Sequence, residues 1–133
     1  MNEEKFTGKA DNYDKYRPSY PAALIDWIYE KTAAETVADI GAGTGKFTAC
    51  LTTKPWEIIA VEPNADMLEK LRVNVPQAAI IQAPAEKTEI AANSVDLVTT
   101  AQAFHWFDGA HFRAECGRIL RPDGYAAIVY NNR

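Results

Sequence analysis

The sequence contains no long apolar run; its uninterrupted hydrophobic stretches are a few residues each, too short to cross a bilayer. Cysteine is scarce. Cys50 and Cys116 stand far apart, a spacing that suits neither a zinc site nor a redox pair, so buried, reduced thiols are expected. Histidine is as rare, with only His105 and His111, and no ligand-spaced His/Cys set exists that would call for a metal. Basic residues number 14 against 18 acidic ones and are dispersed, giving a formal charge of -4 without the patch that grips duplex phosphate. Nucleic acid is therefore not indicated as a partner, although a base-modifying enzyme with its contacts elsewhere stays open. There is no internal repeat, low-complexity run or block of like charge. The opening Met1-Asn2-Glu3-Glu4-Lys5 is charged and lacks the apolar segment of a secretory signal, so a cytoplasmic protein without membrane attachment is expected.

What is present is an ordinary globular balance, 47% hydrophobic and 24% charged over 133 residues, enough for one compact core. Strand and helix patterns alternate, which implies a parallel sheet covered by helices, with right-handed crossovers distributing the helices over its two faces. Tyr20-Pro21 opens a helix, because proline suits a first turn where its missing N–H is no loss; Leu24, Trp27 and Ile28 form its stripe. A first strand over 36–41 runs into a glycine-rich turn, and a helix over 46–53 follows. A second strand over 57–61 ends at Glu62-Pro63-Asn64, where Asn64 caps a helix with the stripe Leu68, Leu71 and Val75 that Pro76 stops. Short strands are expected over 78–82 and, after the turn Asn93-Ser94, over 95–100. Asp108 caps a further helix with the stripe Phe112, Cys116, Ile119 and Leu120, and Phe107 is placed to staple onto Phe112. Arg121-Pro122-Asp123-Gly124 then turns the chain into a fifth strand over 125–130.

Chemistry concentrates at Asp39-Ile40-Gly41-Ala42-Gly43-Thr44-Gly45, between strand and helix. Alternate glycines let the backbone turn tightly and bring its N–H groups close to a ligand, and the start of the next helix offers further unsatisfied N–H groups. A phosphate-cradling P-loop fails on two counts: Gly45-Lys46 is followed by Phe47, and Ile40 stands where the first glycine belongs. The dinucleotide pattern wants a third glycine where Lys46 stands, which weakens a nicotinamide-cofactor reading. A plain tight turn is the bland alternative. Glu62, 21 residues after Gly41 at the tip of the second strand, suits a carboxylate that accepts both hydroxyls of a ribose; otherwise it is a solvated loop acid.

Five segments now stand in order: Val37 through Thr48, Val61-Glu62-Pro63-Asn64-Ala65-Asp66-Met67, Ala83-Pro84-Ala85-Glu86, Ser94-Val95-Asp96-Leu97-Val98 and Leu120-Arg121-Pro122-Asp123-Gly124. Together they resemble the class I S-adenosylmethionine-dependent methyltransferases. The opening with Tyr13, Tyr16-Arg17-Pro18 and Tyr20-Pro21 looks like the small-molecule branch called methyltransferase type 11. The resemblance implies a Rossmann-like three-layer α/β/α sandwich, with an arm or lid over residues 1–20 and the cofactor-binding core over 21–133. Gly41, Ala42, Gly43 and Gly45 would line the methionine moiety, with Asp39 beneath them near its ammonium. Glu62 would hold the ribose, Pro63 and Met67 would pack around the adenosine, and Ala85 and Glu86 would border the adenine. Ala103 would close the pocket near the reacting sulfur. Met67 could equally belong to the core, and Pro84 and Glu86 depart somewhat from the usual third-strand loop, where an aspartate often stands earlier. Tyr16 and Arg17 would belong to the lid, Arg17 forking onto the ligand carboxylate; a solvated arm is the alternative.

The aromatic cluster Phe104-His105-Trp106-Phe107 follows the fourth strand, at the carboxyl edge where open sheets bind ligands. His105 is the candidate base for an acceptor hydroxyl or amine, unless the cluster serves to fill its own loop; His111 reads as a surface residue. The family's sheet has seven strands in the order 3-2-1-4-5-7-6. The order here should be 3-2-1-4-5, with strands 6 and 7 missing and the fifth strand an edge at which a second copy could pair. The expected function is transfer of a sulfonium methyl to a small-molecule acceptor, with no metal. The rivals are a non-catalytic module that binds S-adenosylmethionine and, further back, an NAD-dependent oxidoreductase.

Overall fold

Helices and strands alternate along the computed structural model, which describes residues 20–101 and 108–129. In chain order these are α1 (Ala22–Thr32), β1 (Thr36–Ile40), α2 (Lys46–Leu51), β2 (Glu57–Val61), α3 (Ala65–Asn74), β3 (Ala79–Ile81), β4 (Val95–Ala101), α4 (Gly109–Ile119) and β5 (Leu120–Val129). The five strands form one sheet in the order β3-β2-β1-β4-β5, and every neighbouring pair is parallel. This is the expected Rossmann-like order.

The strand order reverses at β1, and that reversal decides where the helices go. β1, β2 and β3 step outward in one direction; β4 and β5 step outward in the other. With right-handed crossovers the two directions put their helices on opposite faces. Accordingly α1 and α2 pack one face through Ile25, Ile28, Phe47 and Leu51 against Val37, Ile58 and Leu97. On that same face, α3 packs Leu68 and Leu71 onto Ala60 and Ile80. Phe112, Cys116 and Ile119 of α4 cover the other face, joined by Ala83, Ala85 and Ile90 from the connection after β3. The topological switch point therefore lies between the carboxyl ends of β1 and β4, where open sheets bind ligands.

Several expectations need correction. The buried stripe of α1 is Ile25 and Ile28, while Trp27 is 60% exposed and Leu24 only half-buried. α2 stops two residues before its expected end, because the hydroxyls of Thr52 and Thr53 donate to the carbonyls of Ala49 and Cys50 and compete with further helix. Leu120 belongs to β5 rather than to the α4 stripe, and Glu115 joins that buried face instead. The turn at 121–124 exists, but inside the strand: Leu120 pairs with Val95 and Tyr125 with Leu97, so these residues bulge out opposite Asp96. Gly124 sits where a Cβ would meet the Leu120 side chain at 2.7 Å and two backbone oxygens at 3.0 Å. Asp96 holds this end of the sheet together, accepting the Glu35 and Thr36 amides at 3.0 Å each and pairing with Arg121 at 2.7 Å. Cys116 is buried and its thiol is pushed up to about 11, chiefly by desolvation; Cys50 is only half-buried, against expectation. Among the described residues, no helix is long and apolar enough to cross a membrane.

A buried acid ties α4 to the connection after β3. Glu115 Oε2 accepts the Thr88 amide at 2.8 Å and the Thr88 hydroxyl at 2.7 Å, and Arg118 pairs with both carboxylate oxygens at 2.9 and 2.8 Å. Foremost the Arg118 hydrogen bonds, then those of Thr88, outweigh burial and hold the Glu115 carboxyl at about 2, below its usual 4.5. A depressed acid contributes stability that is complete above its unfolded value and lost as pH falls toward its folded one. The stability difference between the native protein and Glu115→Gln should thus be constant above pH 5 and shrink between about 4.5 and 2. Urea midpoints of the two proteins measured down that range check it; a difference independent of pH would refute it.

Candidate cofactor site

The glycine loop is built by three left-handed residues, Gly41 (φ 70°), Gly43 (φ 61°) and Gly45 (φ 98°), conformations that L side chains rarely adopt. These fold the chain back on the end of the neighbouring strand, so that the amides of Gly41 and Ala42 both donate to the Val61 carbonyl, at 2.8 and 2.9 Å. Farther along, Asn74 Nδ2 donates to the Thr44 carbonyl at 2.7 Å, tying the loop to the last turn of α3. Gly45 is buried against that helix: a Cβ there would lie 2.9 Å from Leu71 Cδ1 and 3.0 Å from Val75 Cγ2.

Two carboxylates flank the loop. Asp39, the next-to-last residue of β1, is 1% exposed. Its Oδ2 accepts the Thr48 hydroxyl of α2 at 2.6 Å and its Oδ1 accepts the Thr99 hydroxyl of β4 at 2.8 Å. Desolvation dominates and raises the Asp39 carboxyl to about 6, with the two hydroxyl bonds opposing it. Glu62 at the tip of β2 is 6% exposed and turned inward, where Oε1 accepts the Gly43 amide at 2.7 Å and Oε2 the Asn64 amide at 3.0 Å. Asn64 in turn caps α3 as expected, its Oδ1 accepting the Met67 amide at 2.9 Å.

A cavity of about 100 Å³ opens between loop and sheet, lined by Tyr20, Asp39, Gly41, Ala42, Thr44, Lys46, Phe47 and Ala101. That volume suits one end of a ligand rather than a whole nucleoside, since sites for drug-sized ligands run to about 300–1,000 Å³. Its position is the switch point between β1 and β4. The short α2, six residues long, contributes little helix dipole, so the N–H groups that matter are those of the loop itself.

The structure brings Asp39, Gly41 and Ala42 to the cavity, with Gly43, Gly45 and Glu62 in the surrounding loop and strand tip. Met67 is 44% exposed, which removes it from the core, and its sulfur lies 4.0 Å from where a Gly43 Cβ would stand. Pro63 is exposed beside Glu62, its carbonyl accepting from Gln82 at 3.2 Å. Ala85 is buried beneath, in the α4-facing core. Glu86 faces another way in part: its Oε2 accepts the Asp108 amide at 2.8 Å, at the start of α4. Tyr16, Arg17, Ala103 and His105 lie outside the described residues, as do Tyr13 and the aromatics around His105. His111 is exposed as expected and pairs with Asp108 at 2.9 Å, which raises its pKa. Among the described residues, no group of three or more His, Cys, Asp or Glu side chains could hold a metal ion.

Sequence reasoning missed the two threonines under the loop. The signal available was modest: polar hydroxyls at Thr48 and Thr99 inside otherwise apolar buried runs, which need a partner when desolvated.

Comparison with known proteins agrees with this geometry. A methyltransferase domain family matches residues 38–128. An uncharacterized methyltransferase of Mycobacterium tuberculosis is 44% identical over 121 residues, covering 91% of this chain and 49% of the relative. A solved chain from Anaeromyxobacter dehalogenans, provisionally described as a type II methyltransferase, is 37% identical with a TM-score of 0.76, over 88% of this chain and 50% of that one. One from Methanococcus maripaludis, provisionally described as dependent on S-adenosyl-L-methionine, is 26% identical with a TM-score of 0.78, over 98% of this chain and 67% of that one. The chain thus spans about half the length of the curated relatives it matches. It belongs to the class I S-adenosylmethionine-dependent methyltransferases, within the methyltransferase domain family that matches from Ala38 onward.

Proposed function

We propose that this chain binds S-adenosylmethionine at the glycine loop and passes the sulfonium methyl to a small-molecule acceptor. The observation that carries this is the pair of carboxylates, Asp39 bordering the cavity and Glu62 on the Gly43 amide. A pyrophosphate brought to this loop would meet the buried Asp39 acid and a Gly43 amide already engaged, whereas an ammonium finds an acceptor in Asp39; Glu62 would take the ribose hydroxyls of either cofactor. Asp39 therefore fits the ammonium of the sulfonium cofactor and disfavours a pyrophosphate beside it.

When bound, that cofactor supplies an activated methyl group, so the chain's own task is to position, orient and exclude water. Asp39 faces the ammonium from the cavity floor. Gly41, Ala42, Gly43 and Gly45 give a wall without side chains, along which an amino-acid tail can lie. Glu62 holds the ribose hydroxyls, and the exposed Met67 and Pro63 offer apolar cover to the adenosine. By the family resemblance Ala85 and Glu86 would border the adenine, and, outside the described residues, Ala103 would lie near the reacting sulfur and Tyr16 and Arg17 would belong to the lid. His105 would remove the acceptor proton.

Calorimetric titration with S-adenosylmethionine, S-adenosylhomocysteine and NAD tests the reading. Binding of the first two with micromolar Kd and none of NAD is the expected result. Preference for NAD, or silence toward all three, would overturn it. Release of S-adenosylhomocysteine on incubation with small hydroxyl and amine acceptors then measures transfer itself.

A further inference from the structure

Among the described residues, the side chains that hold the buried Asp39 carboxylate are neutral hydroxyl donors. Its two oxygens accept one hydroxyl each, from Thr48 at 2.6 Å and Thr99 at 2.8 Å, and the three side chains belong to three different elements. All three are buried, at 1%, 0% and 0% exposure. The groups around Asp39 can be taken element by element. From α2 come Thr48 and, at the cavity rim, Lys46; from β4, Thr99 and the apolar Ala101; from before α1, the Tyr20 phenol. From β2 comes Ala60, paired with Asp39 across the ladder, while Glu62 at its tip is engaged with the amides of Gly43 and Asn64. No ion pair between Asp39 and a described residue offsets its burial, and hydroxyls are neutral donors, so they favour the anion without neutralising it.

Building on the cofactor reading above, we infer that Thr48 and Thr99 are positioning residues that hold the buried Asp39 carboxyl at the cavity on neutral hydroxyl donors alone, so that loading of an ammonium-bearing ligand expels a proton from Asp39 to solvent. The balance is simple: the carboxylic acid loses its proton to buffer, and the anion left behind faces the cationic ammonium. Raised to about 6 by burial, the ligand-free group is partly protonated in mildly acidic solution. A cation beside it favours the anion, so ligand and proton compete for the same oxygens. The hydroxyls set where that competition occurs.

Two measurements separate this from the cofactor reading. The first needs no ligand: NMR titration of the Asp39 carboxyl carbon should give a midpoint near 6. In Thr99→Val it should move up by about one pH unit, since a hydrogen bond to the anion is lost, and in Thr99→Ser it should return. The second is calorimetry of S-adenosylhomocysteine in two buffers of different ionisation heat, from pH 5 to 8. Affinity should weaken roughly tenfold per pH unit below the Asp39 midpoint, with proton release that vanishes above pH 7.5 or so. An Asp39 that titrates near 4, or stays put in Thr99→Val, overturns the inference even where ligand binds. Should Thr99→Val not fold, the native midpoint and the Thr48→Val midpoint decide it. PH-independent binding without proton release also overturns it, whereas absence of binding at every pH strikes the cofactor reading instead.

Discussion

Gly45→Ala should melt on the order of 10 °C below the native protein and lose most of its affinity for S-adenosylhomocysteine. Two separate penalties meet at this residue. Its φ of 98° lies outside the left-handed well that an L-residue tolerates best, a strain of about 1–3 kcal/mol for alanine. The new methyl would also stand 2.9 Å from Leu71 Cδ1 and 3.0 Å from Val75 Cγ2. Both contacts are with completely buried side chains, which cannot swing into solvent. Overpacking of that kind costs about 1–3 kcal/mol more. Relief requires that α3 move away from the loop, which strains the Asn74 bond to the Thr44 carbonyl and shifts the cavity wall. Gly43 makes the control: its φ of 61° is also positive, but the nearest atom to a Cβ is Met67 Sδ at 4.0 Å, so alanine there should cost clearly less. Thermal melts of the two variants beside the native protein decide the matter. Equal melting temperatures for Gly45→Ala and Gly43→Ala would mean that α3 does not clamp the loop as described.

The contrast between these glycines shows what could be read in advance. The sequence pattern locates all three, because a strand running into alternate glycines has few other solutions, but spacing alone cannot tell which one is needed for its conformation and which also for want of space. The second strand was legible to the residue, 57–61, because it is a short apolar run between a surface acid and a proline. Sheet order came through the resemblance rather than through periodicity. The α1 stripe differs from the spacing's expectation for a physical reason. Leu24, Trp27 and Ile28 fall at helical spacing, but the face that meets the sheet is centred on Ile25 and Ile28, and Trp27, two positions from Ile25, points away from it and stays 60% exposed. Long-range polar pairing was invisible. Nothing local links Asp39 to a hydroxyl 60 residues later, or Glu115 to Thr88 27 residues before it. Such pairs form because a desolvated charge takes whichever donors the sheet register brings beside it.

Glu62→Gln should leave the fold intact and weaken binding of S-adenosylmethionine and S-adenosylhomocysteine by about a hundredfold. The carboxylate offers two acceptors, Oε1 to the Gly43 amide and Oε2 to the Asn64 amide. A glutamine side chain of the same shape offers one acceptor and one donor, so either amide must face an N–H group. If Gly43 loses, the loop loosens at its centre; if Asn64 loses, the cap of α3 shifts, and with it Met67. In the ligand-bound state the loss repeats, since ribose hydroxyls would donate to the same oxygens and bonds to a charged acceptor contribute about 1.5–3 kcal/mol each. Glu62→Ala removes the acceptors and the donor alike and should bind only slightly worse than Glu62→Gln, which distinguishes loss of charge from loss of bulk. Calorimetry of all three proteins, with circular dichroism to establish that each is folded, supplies the reading. A Glu62→Gln variant that binds like the native protein would show that Glu62 serves only to pin the loop, and the sugar would have to be held from elsewhere.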